Sequence, residues 1–566
     1  MSLTSKAAFL FSTVAVLAVC ALPVPSNAEN DASPQPANLP VTTLSIFGIG
    51  GDAHTGLDLP KWMPQMAAIG IHTMRCATPS DPDQMAYLDT LNIKYGALLY
   101  RTPPGDTLDA LYTLPVKDIP AWKAYVTDQV KKTKGRACYW ELWNEPPNGI
   151  GPNQTAADYA KLLVATYDTI KALDPNAVVA MCAKSVHVNW LEQTIQAGGK
   201  DHFDCIILHP YEVLGTAVEL PGAEPVYLNI VPTVRKMLAA QDPARVNVPI
   251  IFTEIGYDAG RGPDLQASAL VKAFTMGIVQ GVQCIEWFEG MDGDSGPMGL
   301  LHFDLTPRPA YTAMAQMIKY LGEHPAYVGW VQFHDRDYGF VFRNGSRHIL
   351  ITWAPVGMKD PVDFGATVSV LDPRTGKADQ ENATTLTDMP VIVTDAPAAI
   401  VKQAMENKAR PIPWGGDYTG AKSVSITFGA TTVEKGIHTH SAADVAADVL
   451  AYGGSARAGS VPGGNVFMVD PNFLRYTPTP IEVKIVVRRN ANNDNAGFKF
   501  IYESTSGYKN LGWYTVPDNK EWHTVTYRIT DDEFVSMWGY NFSLDSDGNT
   551  YNKYDIQSVT VTKLSP

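Results

Sequence analysis

Between Thr43 and about residue 325, short β-rich apolar runs alternate with longer segments whose apolar residues recur at helical spacing. The runs Thr43–Gly50, Ile71–Ala77, Tyr95–Tyr100, Ala137–Asn144, Val178–Ala183, Phe203–His209, Pro249–Ile255 and Val282–Phe288 read as eight strands. The clearest helix spans Ala156–Leu173, with Tyr159, Leu162, Leu163, Thr166, Tyr167, Ile170 and Leu173 on one stripe. Lys161, Asp168 and Lys171 lie off that stripe, and Asp174-Pro175-Asn176 stops the helix before the next strand. A last helix begins at Pro309 and carries Met314, Met317, Ile318 and Leu321 inward. Strands that alternate with helices form parallel sheets, and eight such units close a (β/α)8 barrel, a TIM barrel, over residues 41–325.

The rhythm then changes. Residues 326–405 give short alternating segments with turns at Asn344-Gly345 and Asp372-Pro373, a small antiparallel β-domain. Residues 406–413, ending in Arg410-Pro411-Ile412-Pro413, read as a linker, and 414–566 as a β-sandwich. The fold class is therefore α/β: a (β/α)8 barrel followed by a small antiparallel β-domain and a C-terminal β-sandwich.

The N-terminus does not fit this pattern. Lys6, the apolar run Ala7–Val19 and the small-residue pattern Ser26-Asn27-Ala28 make residues 1–28 a secretory signal, followed by a polar leader over 29–40. Export is the expectation. Leu17-Ala18-Val19-Cys20 offers a lipid anchor as an alternative, but Val19 fits that signal poorly. The net charge of −14, from 44 basic against 58 acidic residues, argues against nucleic acid or an anionic membrane surface and for a neutral partner. Cys76, Cys138, Cys182, Cys205 and Cys284 all fall in strand-like apolar runs without paired spacing, which points to buried free thiols rather than disulfides or a zinc site. No cofactor or metal is expected.

Reactive residues of such barrels sit at the C-terminal strand ends. The fourth strand ends in Trp143-Asn144-Glu145-Pro146 and the seventh in Thr253-Glu254-Ile255-Gly256. These strands face one another across the mouth, so Glu145 and Glu254 can flank a ligand. Two such carboxyls suit glycosidic cleavage, one protonating the departing oxygen and one attacking the sugar carbon. Glu145 is assigned the acid/base role and Glu254 the nucleophilic one. A separation near ~5 Å is expected for retention of configuration, against ~8 Å or more for inversion. Glu141 lies four residues before Glu145, roughly 13 Å along the strand, and reads as a buried structural carboxylate paired with a cation. Glu286 and Glu289 read as structural or rim residues, and His209 as a hydrogen-bonding site residue rather than a metal ligand.

Trp143-Asn144-Glu145-Pro146 resembles the clan of retaining (β/α)8 glycoside hydrolases that includes families 5 and 39, and looks most like family 39. Ala157-Asp158-Tyr159-Ala160, His209-Pro210-Tyr211, and Thr306-Pro307-Arg308-Pro309-Ala310-Tyr311 are similar to other segments of that clan. The resemblance covers roughly residues 43–320. It implies Asn144 as a donor to a sugar hydroxyl, Tyr211 as a partner of Glu254, Arg75 as a support for the nucleophile, and Trp287 as a platform under the sugar. It also implies a polysaccharide or oligosaccharide substrate and cleavage by double displacement. The clan often has Gly or Trp soon after the nucleophile, whereas Ile255-Gly256-Tyr257 follows Glu254. The competing class is a carbohydrate-binding or envelope protein on the same scaffold that has lost turnover. In the C-terminal unit, Trp513, Tyr514, Trp522 and Trp538 invite a carbohydrate-binding reading, with Trp513 and Tyr508 the better candidates for an exposed platform. Asp545-Ser546-Asp547-Gly548-Asn549 begins like a calcium loop but has Ile556 at its twelfth position, so a polar turn is expected.

Overall fold

A computed structural model describes residues 43–566 apart from 52–57, 77–81, 101–112, 134, 335–336, 413–417, 430–431, 440–444, 447–455, 460–464, 491–494, 549 and 566. The expected signal segment and leader lie outside the described residues.

All eight expected strands form, as β1 (Phe47–Ile49), β2 (Thr73–Cys76), β3 (Lys94–Leu99), β4 (Ala137–Leu142), β5 (Val179–Lys184), β6 (Cys205–His209), β7 (Ile250–Ile255) and β8 (Cys284–Trp287). They pair in parallel in chain order, and β1 closes on β8, with Phe47 opposite Ile285. The helix at Ala156–Leu173 has the expected limits. The Asp158 carboxylate accepts the Thr155 amide at 2.9 Å, the return half of a capping box, which typically stabilises a helix by about 1 kcal/mol. Its buried stripe stops at Ile170. Leu173, expected on that stripe, is 42% exposed because the chain is already leaving the helix at Asp174.

Alternation along the strands sorts the barrel interior into levels. The lower level is apolar: Cys138, Cys182, Cys205 and Cys284 are free and buried, packed with Ala180, Ile207 and Ile251. Tyr139 crosses this level and donates to Glu286 at 2.6 Å. Gly96 leaves the room for it, since a Cβ there would lie 1.8 Å from the Tyr139 ring. Polar residues occupy the next level up, on the same faces of the same strands.

After the last barrel helix, Pro309–Leu321, a six-stranded sheet spans Ala326–Val331 to Val391–Val393, followed by a helix at Ala398–Asn407. That helix reaches into the segment expected as a linker. Asn407 donates to the Trp330 carbonyl at 3.2 Å and Trp330 donates to the Arg410 carbonyl at 3.0 Å, so the segment is fastened to the sheet instead of spanning freely. The C-terminal unit is two facing sheets. Strand Tyr554–Lys563 is central to one and Phe542–Asp545 to the other, and Val424, Ile485, Val561, Phe467, Phe500 and Phe542 are among the residues between them. Ile481, Val483, Ile485 and Val487 are buried while Lys484 is exposed, the alternation of a strand with one covered face. Of the polar turn expected at Asp545–Asn549, Asn549 lies outside the described residues; Lys499 pairs with Asp547 and lies 3.8 Å from Asp545. Among the described residues, no helix is long and apolar enough to cross a membrane.

Candidate active site

The two expected carboxyls are brought to the mouth by breaks in strand regularity. At the end of β4, Trp143 and Glu145 both take left-handed backbone conformations, with φ of 67° and 51°. Such values are uncommon for residues with side chains and are tolerated where surrounding contacts impose them. Here the Glu145 carbonyl accepts the amides of Asn148 (2.9 Å) and Gly149 (3.0 Å), and the Trp143 amide is held by the Leu99 carbonyl at 3.0 Å. Gly149 permits this turn, since a Cβ there would meet the Asn144 carbonyl oxygen at 2.2 Å. On β7 the pairing with β8 shifts register between Phe252 and Ile255, the local irregularity that turns Glu254 toward the ligand side.

Arg75, on β2, ties the site together. It donates to Glu141 through Nε (2.7 Å) and Nη2 (2.8 Å), to Asn144 Oδ1 through Nη2 (2.8 Å), and to Glu254 through Nη1. Glu141 is fully buried, so its charge requires this partner. Asn144 accepts from Arg75 through its oxygen, which leaves its amide nitrogen to donate elsewhere. Tyr211 donates to Glu254 Oε2 at 3.1 Å. His209, also fully buried, contacts Glu145 through Nδ1 (3.1 Å) and Thr253 Oγ1 through Nε2 (2.9 Å), with Glu254 3.6 Å and Glu141 3.5 Å away.

Trp287 does not serve as a platform. It has no exposed surface and belongs to the main core cluster. The physical reason is the pleat. Glu286 points into the barrel, so Trp287 points to the opposite face and Phe288 back to the mouth. Phe288 is half-buried and packs edge-on against Tyr211, with ring centroids 6.4 Å apart.

Lys184 is a site residue that sequence reasoning missed. It ends β5 with Nζ 3.0 Å from Glu145 Oε2 and 3.9 Å from Glu212 Oε1. The signal was present: Cys182 lies in the barrel interior, so the residue two positions on shares its face.

The charges organise one another. Burial opposes ionisation of Glu141, but Arg75 and His209 outweigh it and hold the carboxyl down at about 2. Burial pushes Glu145 up, and the hydrogen bond and charge of His209, with Lys184, overcome that and hold it well below the usual carboxylate range. Burial lowers His209, yet Glu254, Glu141 and Glu145 raise it to about 9. Burial lowers Lys184 and Glu145 more than restores it, so its pKa is raised. Burial, followed by Glu254 and Glu145, pushes the Tyr211 hydroxyl well up, keeping it a donor.

One oxygen each of Glu145 and Glu254 and a nitrogen of His209 lie within 4.8 Å of one another, close enough to share a divalent cation. Arg75, Lys184 and His209 already compensate these carboxylates, and a cation would have to displace their hydrogen bonds. His334, Asp337 and Asp360, in the second sheet, form a separate group of similar spacing.

No family model matches the chain, and no curated protein matches it. Among solved structures, it is similar to a GH39 β-xylosidase from Caulobacter crescentus, at 17% identity over 64% of this chain and 98% of that one, with a TM-score of 0.47. A GH30 endoxylanase from Clostridium papyrosolvens C71 aligns at 13% identity over 62% of this chain and 96% of that one, with a TM-score of 0.45. An exo-β-1,4-mannosidase from Opitutaceae bacterium strain TAV5 aligns at 15% identity over 49% of this chain and 59% of that one, with a TM-score of 0.37. At these identities the likeness concerns the fold alone.

Proposed function

We propose that the protein is an exported retaining glycoside hydrolase that cleaves β-glycosidic bonds of an oligosaccharide or polysaccharide, with Glu145 as acid/base and Glu254 as nucleophile. The observation that carries this reading is the gap between the two carboxyls, whose nearer oxygens lie within 4.8 Å. Double displacement needs carboxyls about 5–5.5 Å apart, whereas inversion needs about 6.5–9.5 Å to admit a water between enzyme and sugar.

The surroundings support the division of labour. Glu254 receives hydrogen bonds from Arg75 and Tyr211, which orient its oxygens toward the sugar carbon. It attacks the anomeric carbon, the glycosidic C–O bond breaks, and a glycosyl ester forms. Glu145 gives a proton to the departing oxygen. In the second step Glu145 takes a proton from water, the water oxygen bonds to the anomeric carbon, and the Glu254 carboxylate is released.

His209 and Lys184 hold Glu145 ionised, so it takes up its proton as the glycosidic oxygen arrives beside it and water is excluded. His209, raised to about 9 by the surrounding carboxylates, keeps its own proton across the neutral range and orients Glu145 Oε1 through a 3.1 Å hydrogen bond. The low setting of Glu145 favours one other reading, a carbohydrate-binding protein without turnover, and activity separates the two. Assay on a panel of aryl β-glycosides and neutral polysaccharides is expected to find a substrate. NMR of the first product is expected to show the β-anomer. Initial formation of the α-anomer would remove double displacement, and binding without turnover on any member would favour the binding protein.

A further inference from the structure

The loop 534–541 of the C-terminal sandwich is fixed from behind by one buried carboxylate. Glu503, 1% exposed, accepts the backbone amides of Val535 (3.0 Å), Ser536 (3.0 Å) and Met537 (2.5 Å) and the side-chain amide of Asn541 (2.8 Å). A loop held by successive amides on one acceptor keeps its shape. Its tip meets the barrel next to the site. The Ser185 hydroxyl donates to the Met537 carbonyl, one residue beyond Lys184. Gly539, with φ of 82°, lies against the helix Tyr211–Glu219, where a Cβ would come within 2.0 Å of Thr216 Oγ1 and 3.1 Å of the Glu212 carbonyl oxygen. Only glycine allows that approach.

Trp538 stands between these two anchors. Its neighbours Met537 and Gly539 are buried, while it is partly open to solvent. Its ring meets His187 edge-on, with centroids 4.9 Å apart, and His187 Nδ1 lies 2.7 Å from the Lys184 carbonyl oxygen. Lys184 and Glu212 complete the group. Glu212 Oε2 is buried and has no hydrogen-bond partner among the described residues. A buried, unpaired carboxylate oxygen is costly and marks a place for a donor. Lys184 is bonded to Glu145, whereas Arg75 and Tyr211 are bonded to Glu254. The Lys184–Glu212–Trp538 side is therefore the side toward which the leaving group departs.

We propose that Trp538 of the C-terminal sandwich is the aromatic wall of the leaving-group subsite, stacking a neutral sugar whose hydroxyls bond to Lys184 and Glu212. A hydroxyl both donates and accepts, which suits a cation beside a carboxylate with one oxygen left without a hydrogen bond; an acidic sugar would meet Glu212 as a like charge. The proposal rests on the reading of Glu145 as the acid/base.

Trp538→Ala separates this role from mere packing. The β-glycosyl fluoride of the sugar found in the panel places only fluoride on the leaving side, whereas the corresponding β-linked disaccharide fills the subsite. In Trp538→Ala, kcat/KM on the disaccharide is expected to fall roughly tenfold further than on the fluoride, the scale of one lost stacking contact. Trp538→Tyr is expected to recover most of that difference. Equal losses on both substrates, or no extra loss on the disaccharide in a protein of unchanged Tm, would overturn the proposal. Calorimetric binding of cello-, xylo- and manno-oligosaccharides to Glu145→Gln and Glu145→Gln/Trp538→Ala reads the wall without turnover. Weaker binding in the double variant supports it and equal binding overturns it, so a failure of the wall is distinguishable from a failure of the hydrolase reading.

Discussion

Two levels of one barrel interior, built from the same strands, do different work. On β5, β6 and β8 the lower level presents Cys182, Cys205 and Cys284 among aliphatic side chains. Two or four residues on, the same faces present Lys184, His209 and Glu286. The lower level is held by apolar burial and asks little of any one residue. The upper level contains three carboxylates whose charges are tolerable only because Arg75, His209 and Lys184 are placed among them. The lesson is that burial here does not separate structure from chemistry, since Glu141, His209 and Cys182 are equally inaccessible. What separates them is whether each group's charge is shared with one that can reach a ligand.

The sharpest break in this comparison comes at the carboxyls of the upper level. Glu254→Gln is expected to abolish turnover on every substrate, activated leaving groups included, because no oxygen remains that can form the ester. Glu145→Gln is expected to lose about 10²–10⁴-fold on substrates with poor leaving groups, the usual contribution of general acid catalysis, and far less on 2,4-dinitrophenyl glycosides. Steady-state kinetics on the two substrate classes reads this directly. Equal losses of both variants on both classes would contradict the assigned roles.

A smaller effect tests the boundary between the levels. Burial raises Glu286 to about 8 despite the hydrogen bond from Tyr139. In the unfolded chain a Glu ionises near about 4.3. The folded state therefore binds the extra proton between those values, and this residue's contribution to stability declines as pH rises from about 4.3 to about 8. Glu286→Gln keeps an acceptor for Tyr139 and removes the titration. Its Tm is expected to fall less than that of the parent between pH ~5 and ~8. Parallel Tm curves would show that Glu286 does not carry its proton in the fold.

Much of this was legible in the chain. The alternation of short apolar runs with helical stripes gave eight strands, and the strand-end rule singled out Glu145 and Glu254 without coordinates. Parity was legible too but was read wrongly in two places. Ending the fifth strand at Ala183 left out Lys184, one residue on, and carrying the platform role over to Trp287 from the resemblance overlooked that Glu286 and Phe288 share the interior face. The register shift that turns Glu254 and the left-handed turn at Glu145 have no local signature, because contacts from other strands impose them. The placement of Trp538 beside His187 depends on the docking of a separate sheet, more than 300 residues on in sequence, and no periodicity reports it.

The central claim is that Glu254 becomes covalently attached to the sugar. Incubation with a 2-deoxy-2-fluoro glycosyl fluoride of the preferred sugar, which slows release of the ester more than its formation, followed by proteolysis and mass spectrometry, tests it most directly. The account predicts one added glycosyl group on the peptide containing Glu254; the group on the Glu145 peptide instead, or none while the substrate is hydrolysed with inversion, would contradict it.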